Sequence, residues 1–240
     1  MKIVSLLSGG MDSSTLAASL KHEGHEVSTI GVYYGQSHDR ELAFAERSAA
    51  MLEIPFTNVN LSSLQAVFAG SCLTDKNVAL PEGRYDEESM KATVVPNRNM
   101  ILLSVAIAKA ISIKADAVAY AAHAGDHTIY PDCRESFADI MNRAAKECDW
   151  HKLDLVRPFI TQTKEDIVVR AHEIEFNLAN TWSCYAGGDV HCGRCGTCIE
   201  RREAFHLASL RIPDIVDPTQ YSSKAPSITE MVANDWKLTD

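Results

Sequence analysis

The sequence predicts an α/β fold: a parallel, Rossmann-like sheet covered by helices, with a small C-terminal lobe gathered around a metal. Three observations predict it. The first sixty residues alternate strand-like and helix-like segments. A turn rich in glycine and serine, Ser8-Gly9-Gly10-Met11-Asp12-Ser13, follows the first apolar run directly. Four of the seven cysteines, Cys184, Cys192, Cys195 and Cys198, fall within fifteen residues. A chain of 240 residues can bury one good core. We expect a nucleotide-binding catalytic domain over 1–180 and a metal-binding lobe and tail over 181–240.

The elements follow in order. Lys2 to Leu7 reads as a strand and Asp12 to His22 as a helix with Leu16, Ala17 and Leu20 on its inner face. The β-branched and aromatic run Val27 to Tyr34 reads as a second strand, Asp39 to Leu52 as a helix, and Phe56 to Asn60 as a third strand after Pro55. Residues 61–95 carry turn signals at Pro81-Glu82-Gly83 and an acidic, solvated stretch, Asp86-Glu87-Glu88; we expect a long excursion there. Regular pattern returns with a helix over Asn99 to Ile113, a buried strand over Ala117 to Ala122, and helices over Arg134 to Cys148 and Thr163 to His172. The tail after Ala208, with Pro213, Pro218 and Pro226, reads as irregular wrapping.

Composition narrows the partners. The formal net charge is −9, which disfavours a general nucleic-acid binder. The longest greasy stretch, Met100 to Ile113, is broken by Lys109 and is shorter than the roughly 20 residues a membrane helix needs. No targeting segment is visible, so a cytoplasmic protein acting on small molecules is expected.

The turn after the first strand is suited to an anion. Glycines let backbone N–H groups approach a ligand, and a helix N-terminus adds unpaired donors and partial positive charge. Ser8, Ser13 and Ser14 add hydroxyls. The lysine of a Walker loop is missing. Asp12 opens the helix instead, and a carboxylate beside phosphates calls for a cation between them, so Mg²⁺ with ATP is expected. The bland alternative is a glycine turn capped by Asp12 or Ser13.

The four clustered cysteines, spaced Cys184-x7-Cys192-x2-Cys195-x2-Cys198, supply four thiolates among glycines, which suits a closed, structural Zn²⁺ site. An iron–sulfur cluster and a redox Cys-x-x-Cys compete with that reading. His191 is expected as a free surface histidine, and Arg201 and Arg202, on a helix after Cys198, as charges that offset the thiolates.

Ser8-Gly9-Gly10-Met11-Asp12-Ser13 resembles the signature of the PP-loop ATP enzymes, which cleave ATP between the α- and β-phosphates; that resemblance implies an adenine nucleotide alpha hydrolase-like fold. With Val95-Pro96-Asn97-Arg98-Asn99, Tyr130-Pro131-Asp132-Cys133-Arg134, Thr163-Lys164-Glu165-Asp166-Ile167, Thr181-Trp182-Ser183-Cys184-Tyr185 and the cysteine run, most of the chain resembles the 7-cyano-7-deazaguanine synthase family. The resemblance implies an ATP-dependent ligase that adenylates 7-carboxy-7-deazaguanine, takes ammonia to give the amide, and activates the amide oxygen to give the nitrile. It also implies structural zinc and a homodimer. On it, Ser8, Gly9, Gly10, Met11, Asp12, Ser13 and Ser14 are expected to bind ATP. Asp12, Ser13, Arg98, Arg134 and Lys164 are expected to serve the chemistry, and Asn99, Asp126, Tyr130 and Asp132 to meet the substrate, Asp132 at its guanine-like edge.

The chain departs from the family at two places. His123-Ala124-Gly125-Asp126-His127-Thr128-Ile129 stands where the family has an Asn-Ala-x-Asp-x-Ser-Gly pattern, and Asn97 stands where it usually has Gly. These departures bear on the product, and a reaction halting at the amide is the variant they raise. A tRNA-modifying PP-loop enzyme and a non-catalytic nucleotide sensor are the other readings.

Overall fold

The computed structural model describes residues 1–37, 40–68, 70–75, 77–84 and 88–238. Strand β1 (Lys2–Leu6) alternates its side chains between two buried faces, Ile3 to one and Val4 to the other. It pairs in parallel with β2 (Glu26–Tyr33) on one side and with β4 (Ala117–Ala119) on the other. Strand β3 (Phe56–Asn60) extends the sheet beyond β2, and β5 (Asp154–Val156) beyond β4, giving the order β3-β2-β1-β4-β5. The chain runs outward in one direction from β1, then returns and runs outward in the other. That reversal opens a crevice at the carboxyl end of β1, where ligands bind in such sheets.

Helices α1 (Met11–His22) and α5 (Lys164–Glu173) cover one face, packing Leu16, Leu20 and Ile167 on Ile3, Val27 and Ala117. Helices α3 (Arg98–Ser112) and α4 (Glu135–Glu147) cover the other, with Leu103, Ala106 and Met141 against Val4, Ile30 and Val118. Helix α2 (Arg40–Met51) lies beside the loop after β1. Helix α6 (Gly196–Arg211) rises from the cysteine run and packs Ala204, Phe205 and Ala208 with Val168, Val169, Met11 and Ala18.

The sequence reading holds for the parallel sheet and for α1 to α5 within a residue or two at each end. Asp39, expected to open α2, lies outside the described residues, as do Asp86 and Glu87; Glu88 is exposed. Four details differ. Pairing of β4 stops at Ala119, because its neighbour β5 has only three residues; Tyr120, Ala121 and Ala122 turn into the crevice instead. β5 was not expected: three residues carry no periodicity. The stretch after β3 forms two 3-10 turns, Ser62–Phe68 and Glu88–Thr93, with Phe68, Cys72, Leu73, Met90 and Val95 buried beneath it. The tail holds a short helix, α7 (Ile228–Ala233), closed by a capping box between Ser227 and Glu230.

Arg201 and Arg202 do more than offset charge. Arg201 is fully buried and donates to Thr181 Oγ1 at 2.8 Å, Ser183 Oγ at 3.1 Å, Thr219 Oγ1 at 2.8 Å and the Leu178 carbonyl at 2.9 Å. Arg202 donates to the Gly193 and Pro226 carbonyls and lies over the Tyr221 ring. Together they pin the tail and the segment before the cysteines onto α6.

Candidate active site

The turn after β1 needs glycine at its tightest point. Gly9 has φ +86°, and a Cβ there would fall 2.1 Å from the Glu41 carbonyl oxygen at the start of α2. The first bond of the α1 ladder runs from Ser14 N–H to the Gly10 carbonyl at 3.1 Å, so the N–H groups of Met11, Asp12 and Ser13 stand ahead of the ladder. The Ser8 and Ser13 hydroxyls lie 3.0 Å apart, and Ser13 Oγ also accepts from Ser8 N–H at 3.1 Å. Neither Asp12 nor Ser13 caps the helix; Gly10 holds that position without a side-chain bond.

Above this turn opens a cavity of about 240 Å³. Ser8, Gly10, Met11, Asp12, Ser13, Arg98, Asn99, Asp126 and Lys164 line it, brought from β1, α1, α3, α5 and the loop after β4. Five other expected residues are placed elsewhere. Gly9 lies under α2. Ser14 is fully buried and bonds Ser48 Oγ. Tyr130 is buried, its hydroxyl 2.5 Å from Thr93 Oγ1. Asp132 accepts from the Asn99 backbone N–H at 3.0 Å, at the start of α3, so its carboxylate serves that helix end. Arg134 is exposed, its Nε donating to the His127 carbonyl at 2.9 Å.

Two groups of side chains form at and behind the cavity wall. In the first, Lys164 Nζ lies 3.0 Å from Asp12 Oδ2 and 2.8 Å from Glu200 Oε2. His123, buried next to them, accepts from Gly125 N–H at Nδ1, and its Nε2 lies 3.4 Å from Lys164 Nζ. The same Nε2 is 3.5 Å from Asp126 Oδ2 and 4.0 Å from Glu200 Oε1. Burial alone would raise the Asp12 carboxyl, but the Lys164 ammonium, with His123, holds it below its ordinary value. Burial alone would lower Lys164; Asp12 and Glu200 more than reverse this. The other oxygen of Asp12, Oδ1, is buried with no hydrogen-bond partner. A buried carboxylate oxygen without a partner, on a residue that lines the cavity, fits a hard cation.

The second group is aromatic. The Arg98 guanidinium lies over the Tyr130 ring, 5.4 Å from its centroid, and is held charged by Tyr34, Tyr130 and Tyr185 against the cost of burial. Tyr34, Tyr120, Tyr185, Trp182 and Glu41 line the same space. None of these five was singled out as a site residue from the sequence. The available signal was position: Tyr34 and Tyr120 stand just past the ends of β2 and β4.

Both departures in the sequence have a local reason. Asn97 has φ 56°, a left-handed conformation that suits glycine and that asparagine tolerates. His123 caps the 3-10 turn Ala124–Thr128 by accepting from Gly125 N–H, as an asparagine carbonyl would at a helix start.

The four cysteine sulfurs lie within 4.8 Å of one another. Backbone N–H groups of Cys192, Arg194 and Cys195 point at the sulfurs of Cys184 and Cys192 from 3.3 to 3.4 Å, a pattern that stabilises thiolates at a metal site. His191 is not a surface residue. It is buried against the Trp182 ring with centroids 4.3 Å apart, accepts from Ser183 N–H, and is pushed down to about 3 by burial and by Arg201.

Over residues 2–209 the chain matches the family described as Queuosine biosynthesis protein QueC. The chain belongs to this family. It is 47% identical over 221 residues to the 7-cyano-7-deazaguanine synthase of Caldicellulosiruptor saccharolyticus, covering 92% of this chain and 96% of that protein. It is 49% identical over 221 residues to the one from Methanoregula boonei, covering 92% and 99%. Among solved structures, NMN synthetase from Francisella tularensis shares the fold with a TM-score of 0.52 at 15% identity, over 98% of this chain and 83% of that one.

Glu41 gives this QueC-family site a measurable signature. Burial pushes its carboxyl up to about 7 from 4.5, and Arg98 opposes this only in part. Between those values the folded chain holds a proton that the unfolded chain releases, so this contribution to stability falls as pH rises through the window. Glu41→Gln should flatten the dependence and gain about 2–4 °C in Tm over the native chain near pH 8. Parallel Tm-against-pH curves for the two proteins would mean that Glu41 stays charged throughout.

Proposed function

We propose that the chain makes 7-cyano-7-deazaguanine from 7-carboxy-7-deazaguanine, ammonia and ATP. The observation that carries this reading is one cavity holding both the Ser8–Ser13 turn and the Arg98 cation. A carboxylate is a poor electrophile because its oxygen leaves badly. Attack of that oxygen on the α-phosphorus of ATP expels pyrophosphate and leaves AMP on the carboxylate. Ammonia then adds to the carbonyl carbon, loses a proton, and AMP departs, giving the amide. A second ATP activates the amide oxygen the same way, and loss of AMP and two protons gives the nitrile.

Each residue has a part in this scheme. The free N–H groups at the start of α1, with Ser8 and Ser13, grip the pyrophosphate. Asp12 supplies Oδ1 for Mg²⁺, which when bound offsets phosphate charge. Arg98 holds the substrate's carboxylate against the α-phosphate, and Lys164 stabilises charge as AMP is transferred. Asn99 and Asp126 contribute to the substrate wall of the cavity. For Tyr130 the scheme has a supporting place under Arg98, and for Asp132 one at the start of α3.

Zn²⁺ is the proposed metal of the cysteine site, in a structural role. In a tetrahedron of about 2.3 Å bonds the sulfurs lie about 3.8 Å apart; Cys192 and Cys198 are 3.9 Å apart. An iron–sulfur cluster would spread its thiolates over separate irons, farther apart than the 4.8 Å found here. The proposed setting is a cytoplasmic homodimer; no helix among the described residues is long and apolar enough to cross a membrane. Light scattering giving the mass of one chain would remove the dimer.

Incubation with 7-carboxy-7-deazaguanine, ATP, Mg²⁺ and ammonium should release pyrophosphate and give a product with the mass of the nitrile. A product stopping at the amide would remove the second activation, and no substrate-dependent pyrophosphate would remove the reaction itself. Asp12→Asn should stay folded and lose about 10²-fold or more in kcat; full turnover would take Asp12 out of the scheme. Metal analysis should find one zinc per chain, and Cys195→Ser should lose it together with several kcal/mol (about 3 or more) of stability. A Cys195→Ser protein that keeps its metal would exclude a four-thiolate site.

A further inference from the structure

Glu200 lies outside the short motifs quoted from the sequence, yet it meets the proposed catalytic lysine directly. It lies on α6, two residues after Cys198, and its side chain is 11% exposed. Its Oε2 accepts from Lys164 Nζ at 2.8 Å, a shorter contact than the 3.0 Å from Lys164 to Asp12. Its Oε1 lies 4.0 Å from His123 Nε2, and that nitrogen is itself 3.4 Å from Lys164 Nζ, so lysine, carboxylate and imidazole form one buried cluster.

The pairing has a consequence for Lys164. If Asp12 were its only partner, a cation taken up by Asp12 would leave a buried ammonium with nothing to hold it. A second carboxylate, on a different helix, keeps the ammonium at the cavity wall while Asp12 is engaged. Glu200 is not among the residues that line the cavity; it meets the wall through Lys164. We propose that Glu200 is a positioning residue: with His123 behind it, it holds Lys164 where the transferred α-phosphate must pass.

This rests on the proposed reaction, and the test separates the two. Glu200→Gln keeps the shape and removes the charge. In a wild-type protein that releases pyrophosphate with 7-carboxy-7-deazaguanine, Glu200→Gln should lower kcat about tenfold or more with KM for ATP within about threefold. It should stay folded at the assay temperature, with some loss of Tm from the missing charge, and its bound-metal content should match the wild type, which separates positioning from support of the cysteine site. Wild-type kcat in folded, metal-replete Glu200→Gln overturns the proposal, as does a loss confined to KM. If Glu200→Gln does not fold, Glu200→Asp decides the same point. It keeps the charge but draws it back by one methylene, so kcat should fall; unchanged kcat in that variant also overturns the proposal. No turnover by the wild type would be a failure of the proposed reaction, not of the Glu200 contact.

Discussion

Burying an ammonium group costs several kcal/mol unless opposite charges meet it. Lys164 is met twice, by Asp12 and by Glu200, and this one interaction fixes much of the architecture around the cavity. Lys164 is the first residue of α5, set there by the capping box of Thr163 with Asp166, whose carboxylate in turn receives Arg211 of α6 at 2.7 Å. Asp12 sits in the first turn of α1, and Glu200 near the start of α6. Three helices therefore converge on one charge. The apolar contacts that hold them together, Met11 and Ala18 with Val168, Val169 and Phe205, lie directly beneath.

The two cations of the cavity are held differently, and the difference suits different work. Lys164 is already matched by carboxylates, so it is a poor first receptor for another anion. Arg98 stands among tyrosine hydroxyls and beside Glu41, whose carboxyl burial pushes toward neutrality. Its positive charge is thus the less compensated of the two. In the proposed reaction an anionic carboxylate is drawn to Arg98 first, while triphosphate is drawn to the amide-rich start of α1. In the proposed reaction that separation delivers the two anions to neighbouring places without asking them to overcome each other's repulsion unaided.

Much of this was legible in the sequence where chemistry is local. The tight turn Ser8–Ser13 was legible through Gly9, where a side chain would strike the start of α2, and the cysteine spacing pointed to four sulfurs that do gather at one place. Arg98, Asn99, Asp126 and Lys164 were picked out as site residues and all line the cavity. Legibility fails where a side chain's role depends on which neighbour it meets. Asp132 has the chemistry to read a guanine-like edge, yet folding brings the start of α3 to it first. Arg134 next to a helix start points to a carbonyl on the surface. Glu41 and Glu200 look like ordinary helical carboxylates; only tertiary packing buries them, against Arg98 and Lys164. The 3-10 turns after β3 have no sustained period to read, and β5 is too short to have one.

The cysteine lobe is tied to the chemistry through the chain that leads into it. Trp182 N–H donates to the Gly9 carbonyl at 2.8 Å, and Trp182, Ser183, Tyr185 and Thr197 all line the cavity. Cys184 lies within that stretch, and Cys195 and Cys198 flank Thr197, so the metal ligands alternate with wall residues along the sequence. A loop with so many glycines would be loose on its own. Gathering its sulfurs at one point removes that freedom, and the same constraint that closes the metal site sets the aromatic wall and the register of α6. In the proposed scheme a metal held by these cysteines governs turnover without meeting substrate, because α6, which rises from them, carries the carboxylate that meets Lys164.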